Sequence, residues 1–336
     1  MRSDLSPPFD PTTLRLAGDV RRLGRDTNEK DDQGRPVWVR VRHGVVVRAA
    51  TWRQLTVEQR HAAFVHATAL RMKAPPAALS HTSAAALWGL PRVSAWPTRL
   101  EVISSARSSG LIVRHDLPRG ETVHVAGLSV TSLTRTLVDL GRTEKLHDAV
   151  AAADHALHHE LCTAIALEEE FDRLDAGVPG RARARLALDL ADGRSMSVGE
   201  SLSRVQMFRL NLPRPELQVE VHDGDGLVGF CDFGWEDVMG EFDGRKKYGL
   251  RDGMDPQKAE RTLWNEKKRE DRIRATNRKM ARWVWVDALR PSQMARILAA
   301  QGIRPSAVNT WFVGEMAARH PRHPRHPEQP RRPNVA

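Results

Sequence analysis

Residues 229–248 read GFCDFGWEDVMGEFDGRKKY. Apolar side chains recur at strand spacing on both sides of a short acidic loop, Glu236-Asp237, which reads as solvated. Asp232 falls on the first strand, Glu241 on the second, and Asp243 two residues beyond it. Positions i and i+2 of a strand share a face, so Glu241 and Asp243 are expected to point the same way. Pairing as a hairpin brings Asp232 beside them. Bare carboxylates this close repel and raise one another's pKa. The chain carries a formal net charge of +10, so cations are at hand to relieve that repulsion, Lys246 and Lys247 first among them. The acids form a hard-oxygen set, which suits Mg2+ or Mn2+ better than Zn2+.

Working outward, GESLSRVQMFRLN (199–211) reads as a helix with Glu200 near its start, aimed at the same edge. LPRPELQVEV turns at its prolines into a strand, and VHDGDGLVG supplies a tight hairpin turn. Residues 256–277 read as a long charged helix, ARWVWVDAL as a closing strand, and 291–301 as a last helix. The order is αβββαβα. Asp232, Glu241 and Asp243 as metal ligands, Glu200 as a further acid, and Lys246, Lys247 and Lys268 as cations are the equipment for metal-assisted phosphodiester hydrolysis.

The pattern helix-Glu, strand-Asp, then Glu-x-Asp-Gly resembles the PD-(D/E)XK nuclease superfamily, and within it the very-short-patch-repair-like endonucleases. The likeness covers roughly 196–292. It implies a restriction-endonuclease-like αβββαβ domain in which Glu200 is the helix acid, Asp232 the metal-binding Asp and Glu241 the second acid. Gln218 resembles a polar residue of the first strand. WNEKKREDRIR, with Glu266, Lys268, Arg269 and Asp271, resembles the following basic helix, and Lys246, Lys268 and Arg269 are expected on the DNA side. The superfamily expects Lys two residues after the second acid. Here Asp243 holds that position, and the resemblance then implies Lys247 or Lys268 as the catalytic cation.

The N-terminal half has its own signals. Val37, Val39 and Val41 alternate with Trp38, Arg40 and Arg42, His43-Gly44 reads as a turn, and Val45–Val47 begin a second strand. TLRLAGDVRRLGRD before this hairpin reads as a short basic helix and 53–74 as an amphipathic one, the outline of a winged helix. LSHTSAAALWGLPRV (79–93) places a helix after Ser80 or Thr82 and stops it at Gly89-Leu90-Pro91. Strands are expected within 98–116 and 121–131, then a helix capped by Thr131 or Ser132, then helix throughout 144–192. SHTSAAALWGLP and LSVTSLTRTLVDL resemble antitoxin-like proteins of the AbiEi type over roughly 10–160. That resemblance implies a DNA-binding winged helix, with Arg21, Arg22, Arg40, Arg42 and His43 on DNA. Ser80, His81 and Ser83 lack the glycine elbow of a hydrolase and read as a cap with a packed His. His155, His158 and His159 share one side of a helix without an HExxH pattern and read as incidental. Trp235 beside the acids is the one tryptophan placed for base stacking.

Composition bounds these readings. The 336 residues suit two or three domains. Boundaries are expected at 1–78 (winged helix), 79–195 (α/β), 196–305 (endonuclease-like) and 306–336 (a disordered Pro/Arg/His-rich tail). The 52 Lys and Arg against 42 Asp and Glu argue for a polyanionic partner, most simply DNA. No apolar run of 18 residues predicts a membrane span. The N-terminus lacks an apolar signal region, and two distant cysteines, Cys162 and Cys231, suit a reducing cytoplasm. The expected function is a metal-dependent DNA endonuclease with a DNA-binding N-terminal region. The alternative is an antitoxin-like regulator on an inactive nuclease fold, with a cognate toxin or a second copy of the chain as partner.

Overall fold

The β-branched run Val45–Val47 is fully buried and forms the middle of the first sheet. The computed structural model describes residues 9–72, 78–104, 111–114, 122–244 and 256–312. In the N-terminal part, strand β1 (Arg15–Leu16) leads into helix α1 (Ala17–Arg22), and the hairpin β2 (Trp38–Arg42) and β3 (Val45–Arg48) follows. The sheet order is β1-β3-β2, antiparallel throughout. Gly44 makes the hairpin turn at φ +78°, where a side chain is strained. The helix expected over 53–74 is two helices, α2 (Ala49–Gln54) and α3 (Val57–Ala69). The break is a capping box: Gln59 N–H donates to Thr56 Oγ1, and Thr56 N–H donates to the Gln59 side chain.

The middle part holds β4 (Ala78–Leu79), α4 (His81–Leu87), β5 (Leu100–Ile103), β6 (Leu111–Arg114), β7 (Thr122–Val125) and β8 (Leu128–Thr131). These strands form a sheet of order β6-β5-β4-β8-β7. Helix α4 is not capped by its own Ser80 or Thr82. The buried Glu101 carboxylate on β5 accepts the Thr82 N–H at 2.9 Å and its hydroxyl at 2.5 Å, and Ser80 turns to the His81 ring. Of the two caps open for the next helix, Ser132 is used, accepting the Arg135 N–H. The stretch expected to be helical throughout is broken. After α5 (Leu133–Thr143) come α6 (Leu146–His158), α7 (Ala164–Asp172) and α8 (Arg181–Leu190), separated near Glu160 at φ +55° and Gly180 at φ +83°.

The C-terminal part runs α9 (Val198–Arg209), β9 (Glu216–Asp223), β10 (Gly226–Trp235), β11 (Val238–Phe242), α10 (Pro256–Ala275), β12 (Lys279–Trp283), α11 (Trp285–Ala288) and α12 (Pro291–Ala299). The sheet order is β12-β11-β10-β9. β10 is antiparallel to both neighbours, and β12 pairs parallel with β11. Gly224-Asp225 makes the two-residue turn between β9 and β10. The sheet lies between two helices. On one face Trp283 donates its indole N–H to Ser203 of α9 at 2.7 Å. On the other, Ile273 of α10 packs with Val221, Cys231, Met239 and Met280. The strand expected over 281–289 ends at Trp283, because the Asp287 carboxylate accepts the Val284 N–H and starts α11.

The fold is mixed α/β. One core cluster runs unbroken from Ala85 and Leu137 through Leu190 and Leu202 to Phe233, Trp283 and Trp311. No helix among the described residues is long and apolar enough to cross a membrane.

Candidate functional site

Phe233 faces Leu217 across β9 and Gly240 across β11, and Cys231 faces Val219. One step along this register, Asp232 lies in a row with Gln218 and Glu241. Phe233 and Leu217 pack in the core with Leu202 of α9, whereas Cys231 and Val219 pack with Ile273 of α10. A regular strand would put i and i+2 on one face. The alternation therefore breaks in both strands at once, at Asp232 and Gln218. Gln218 has φ +53°, a left-handed conformation costing a non-glycine residue on the order of 1–2 kcal/mol.

The break carries both side chains to the start of α9. Ser197 accepts the Glu200 N–H, and the Glu200 carboxylate accepts the Met196 N–H at 3.0 Å. Gln218 Nε2 donates to the same carboxylate at 3.1 Å, and the Gln218 side chain also hydrogen-bonds Asp232. Asp232 accepts the Phe242 N–H at 2.8 Å. Burial pushes the Asp232 carboxyl up to about 7, helped by the charges of Glu200 and Glu241 and opposed by the Phe242 and Gln218 donors. Burial also raises Glu200, against the Met196, Ser197 and Gln218 hydrogen bonds. Neither acid makes an ion pair among the described residues.

Glu241 is handled differently. Arg269 of α10 donates to its Oε1 at 2.5 Å, and Arg282 of β12 reaches its Oε2 at 2.7 Å. Arg282 stands directly opposite Glu241 in the β11–β12 register. Sequence reasoning missed Arg282 because that pairing joins distant segments. Its only local trace is one arginine inside the apolar strand KMARW. Cys231 Sγ lies 3.8 Å from Glu241 Oε1, and burial first, then Glu241, pushes its thiol up to about 12. Asp243 is half-buried just past β11, its N–H donating to the Trp283 carbonyl. Lys246 and Lys247 lie outside the described residues. Lys268 sits over the exposed Trp264 ring at 5.4 Å. Trp235 is core, its indole N–H on the Pro213 carbonyl.

Among the described residues, no group of three or more His, Cys, Asp or Glu could hold a metal ion. The chemistry of the donors divides them. Asp232, half-buried, and Glu200, buried, are oxygen donors without a basic partner among the described residues and fit a hard divalent cation. Glu241 fits it only by releasing a guanidinium.

A second constellation lies on the N-terminal sheet. Arg21, Arg40 and His43 line a groove of about 520 Å3 together with Lys30. The other two predicted arginines turn elsewhere: Arg22 pairs with Asp19, and Arg42 lies over the Phe64 ring at 5.5 Å. The His159 ring, just past α6, packs on those of His155 and His158, with centroids 4.4 and 4.9 Å away. His158 is tied to the Gly193 carbonyl, and burial pushes His155 down to about 4.

The chain is 33% identical over 129 residues to two proteins of Mycobacterium tuberculosis, one from strain CDC 1551 / Oshkosh and one from strain H37Rv, both described only as uncharacterized. The match covers 38% of this chain and 47% of each relative, so the chain spans about half the length of the curated relatives it matches. No family model and no solved structure matches the chain.

Proposed function

We propose that the chain is a DNA-interacting protein in which a restriction-endonuclease-like, very-short-patch-repair-like C-terminal domain hydrolyses phosphodiester bonds, docked by a winged-helix, AbiEi-like N-terminal region. The observation that carries this reading is the pair Asp232 and Glu200. The half-buried Asp232 carboxyl and the buried Glu200 carboxyl share the Gln218 amide at a strained break in the sheet, and among the described residues neither has an ion-pair partner. Strain and raised carboxyl pKa values cluster at functional sites. The element order helix, three strands, helix, strand is the order the resemblance implies, which also supports the reading.

In this proposal Asp232 and Glu200 hold the cation, with Glu241 joining when Arg269 or Arg282 lets go. Bound Mg2+ or Mn2+ polarises the phosphate and lowers the pKa of a water. Burial raises the Asp232 carboxyl to about 7, so a cation held there would compete with a proton. Gln218 orients both carboxyls, and Lys247 supplies the positive charge near the phosphate. The test is cleavage of supercoiled plasmid and single-stranded DNA with Mg2+, Mn2+ or EDTA. Metal-dependent nicking lost in Asp232→Ala and Glu241→Ala is the expected result. No cleavage under any condition overturns it.

The two arginines on Glu241 favour a second reading, a regulator whose nuclease fold serves as scaffold. Salt-sensitive DNA binding without cleavage, surviving both substitutions, is its signature.

A further inference from the structure

The groove on the N-terminal sheet is lined by cations and suits an anion. Its floor is β2 and β3, and its walls are α1 and the loop 24–36. The loop is braced from within. Arg25 N–H donates to the Val20 carbonyl and Val37 N–H to the Glu29 carbonyl, and Lys30 bridges Pro36. Asp31 accepts three hydrogen bonds from Gln33 and Arg35, and Asp26 accepts two from Asn28. These acids are occupied in shaping the loop, and among the described residues no carboxylate lines the groove. Arg21, Lys30 and Arg40 line it, and among the described residues none of them has an ion-pair partner.

A second observation is independent of charge. Trp38 also lines the groove, is 8% exposed, and its indole Nε1 is buried without a hydrogen-bond partner among the described residues. Arg48 covers the ring at 4.3 Å. A buried N–H without an acceptor is costly, and a ligand oxygen removes that cost. Small-molecule sites run from about 300 to 1,000 Å3, and this groove falls in that range.

We propose that the groove is a pocket for one unpaired, phosphate-bearing nucleotide. Arg21, Lys30 and Arg40 take the phosphate, and the Trp38 indole N–H and the Asn28 side chain meet the sugar or base. The ligand is a free mononucleotide or a nucleotide splayed from a strand. This deepens the docking half of the proposed function and is independent of the acid site on the C-terminal sheet.

Binding is measured in EDTA on the full chain carrying Asp232→Asn, so that cleavage plays no part. The probes are a nucleoside monophosphate, inorganic phosphate, a single-stranded oligonucleotide with and without a terminal phosphate, and a blunt duplex without one. Lys30→Ala and Arg40→Ala change exposed, unpaired side chains, and Arg22→Ala is the control outside the groove. Binding of the mononucleotide or the phosphorylated strand, weakened at least tenfold by Lys30→Ala and by Arg40→Ala and not by Arg22→Ala, is expected. The mononucleotide arm identifies a free nucleotide as ligand, and binding of the strand alone identifies a splayed one. Inorganic phosphate competing as well as the nucleotide overturns the proposal, as does binding that all three variants leave within twofold. Duplex binding that Lys30→Ala and Arg40→Ala leave unchanged sinks the pocket and leaves DNA docking standing. Absence of any nucleic-acid binding sinks both.

Discussion

Asp232 and Glu241 are neighbours across one hairpin, yet the protein treats their charges in opposite ways. Asp232 is half-buried beside another acid, and its pKa rises from the usual 3.8 to about 7. A raised folded-state pKa means the folded protein holds its proton longer than the unfolded chain, so stability falls as pH climbs from about 4 to 7 and then levels. In EDTA, Asp232→Asn is predicted to raise stability at pH 8 by on the order of 1–3 kcal/mol. The gain should vanish below pH 4, and thermal unfolding at the two pH values reads it. Glu241→Gln should do the reverse. It leaves Arg269 and Arg282 facing a neutral amide and is predicted to cost about 1–3 kcal/mol by denaturant unfolding at pH 7. Spacing alone placed these acids side by side, because a hairpin with a short loop has few registers. It could not separate their fates, since the arginines arrive from α10 and β12, and Glu200 meets Asp232 only through the double break at Gln218.

At the level of elements, the contact between α9 and β11 sets the site. Gly199, one residue before Glu200, lies so close to Phe242 that an added Cβ would fall 1.9 Å from the ring. Gly199→Ala is therefore predicted to push α9 from the sheet, costing about 1–3 kcal/mol and lowering any activity of the Asp232–Glu200 pair. Gly180→Ala, remote from the site, should also destabilise, because its φ of +83° and the Arg142 carbonyl 2.5 Å from the added Cβ both oppose it. It should leave site chemistry unchanged, and the two variants compared in unfolding and activity separate the cases. Most elements were legible where periodicity was strong, as in the β2–β3 and β9–β11 hairpins. The misses share a cause. Leu/Ala-rich 144–192 has one composition across three helices, and RWVWVDAL is strand-like by propensity until the Asp287 cap turns it at Val284.

Across the whole molecule, the middle and C-terminal parts share one core, although residues 193–199 (GRSMSVG), where the boundary at 195/196 is expected, have the composition of a linker. Arg204 of α9 pairs with Asp154 of α6 at 2.6 Å and also donates to the Leu190 carbonyl, all of it buried. Removing one partner of such a pair strands the other's charge. Arg204→Ala is predicted to cost about 3–5 kcal/mol and to lower the hydrogen-exchange protection of residues on both sides of 191–197 together. A linker-like composition reports only that the chain bends there. Whether the two sides then bury surface on each other depends on Asp154, Leu190 and Arg204, which lie far apart in sequence.

The most direct test of the account is the titration of the Asp232 carboxyl by carbon NMR, in EDTA and again in excess Mg2+. The account predicts a midpoint near 7 without metal, moving well below it when Mg2+ is added. A midpoint near 4 that Mg2+ leaves in place would contradict it.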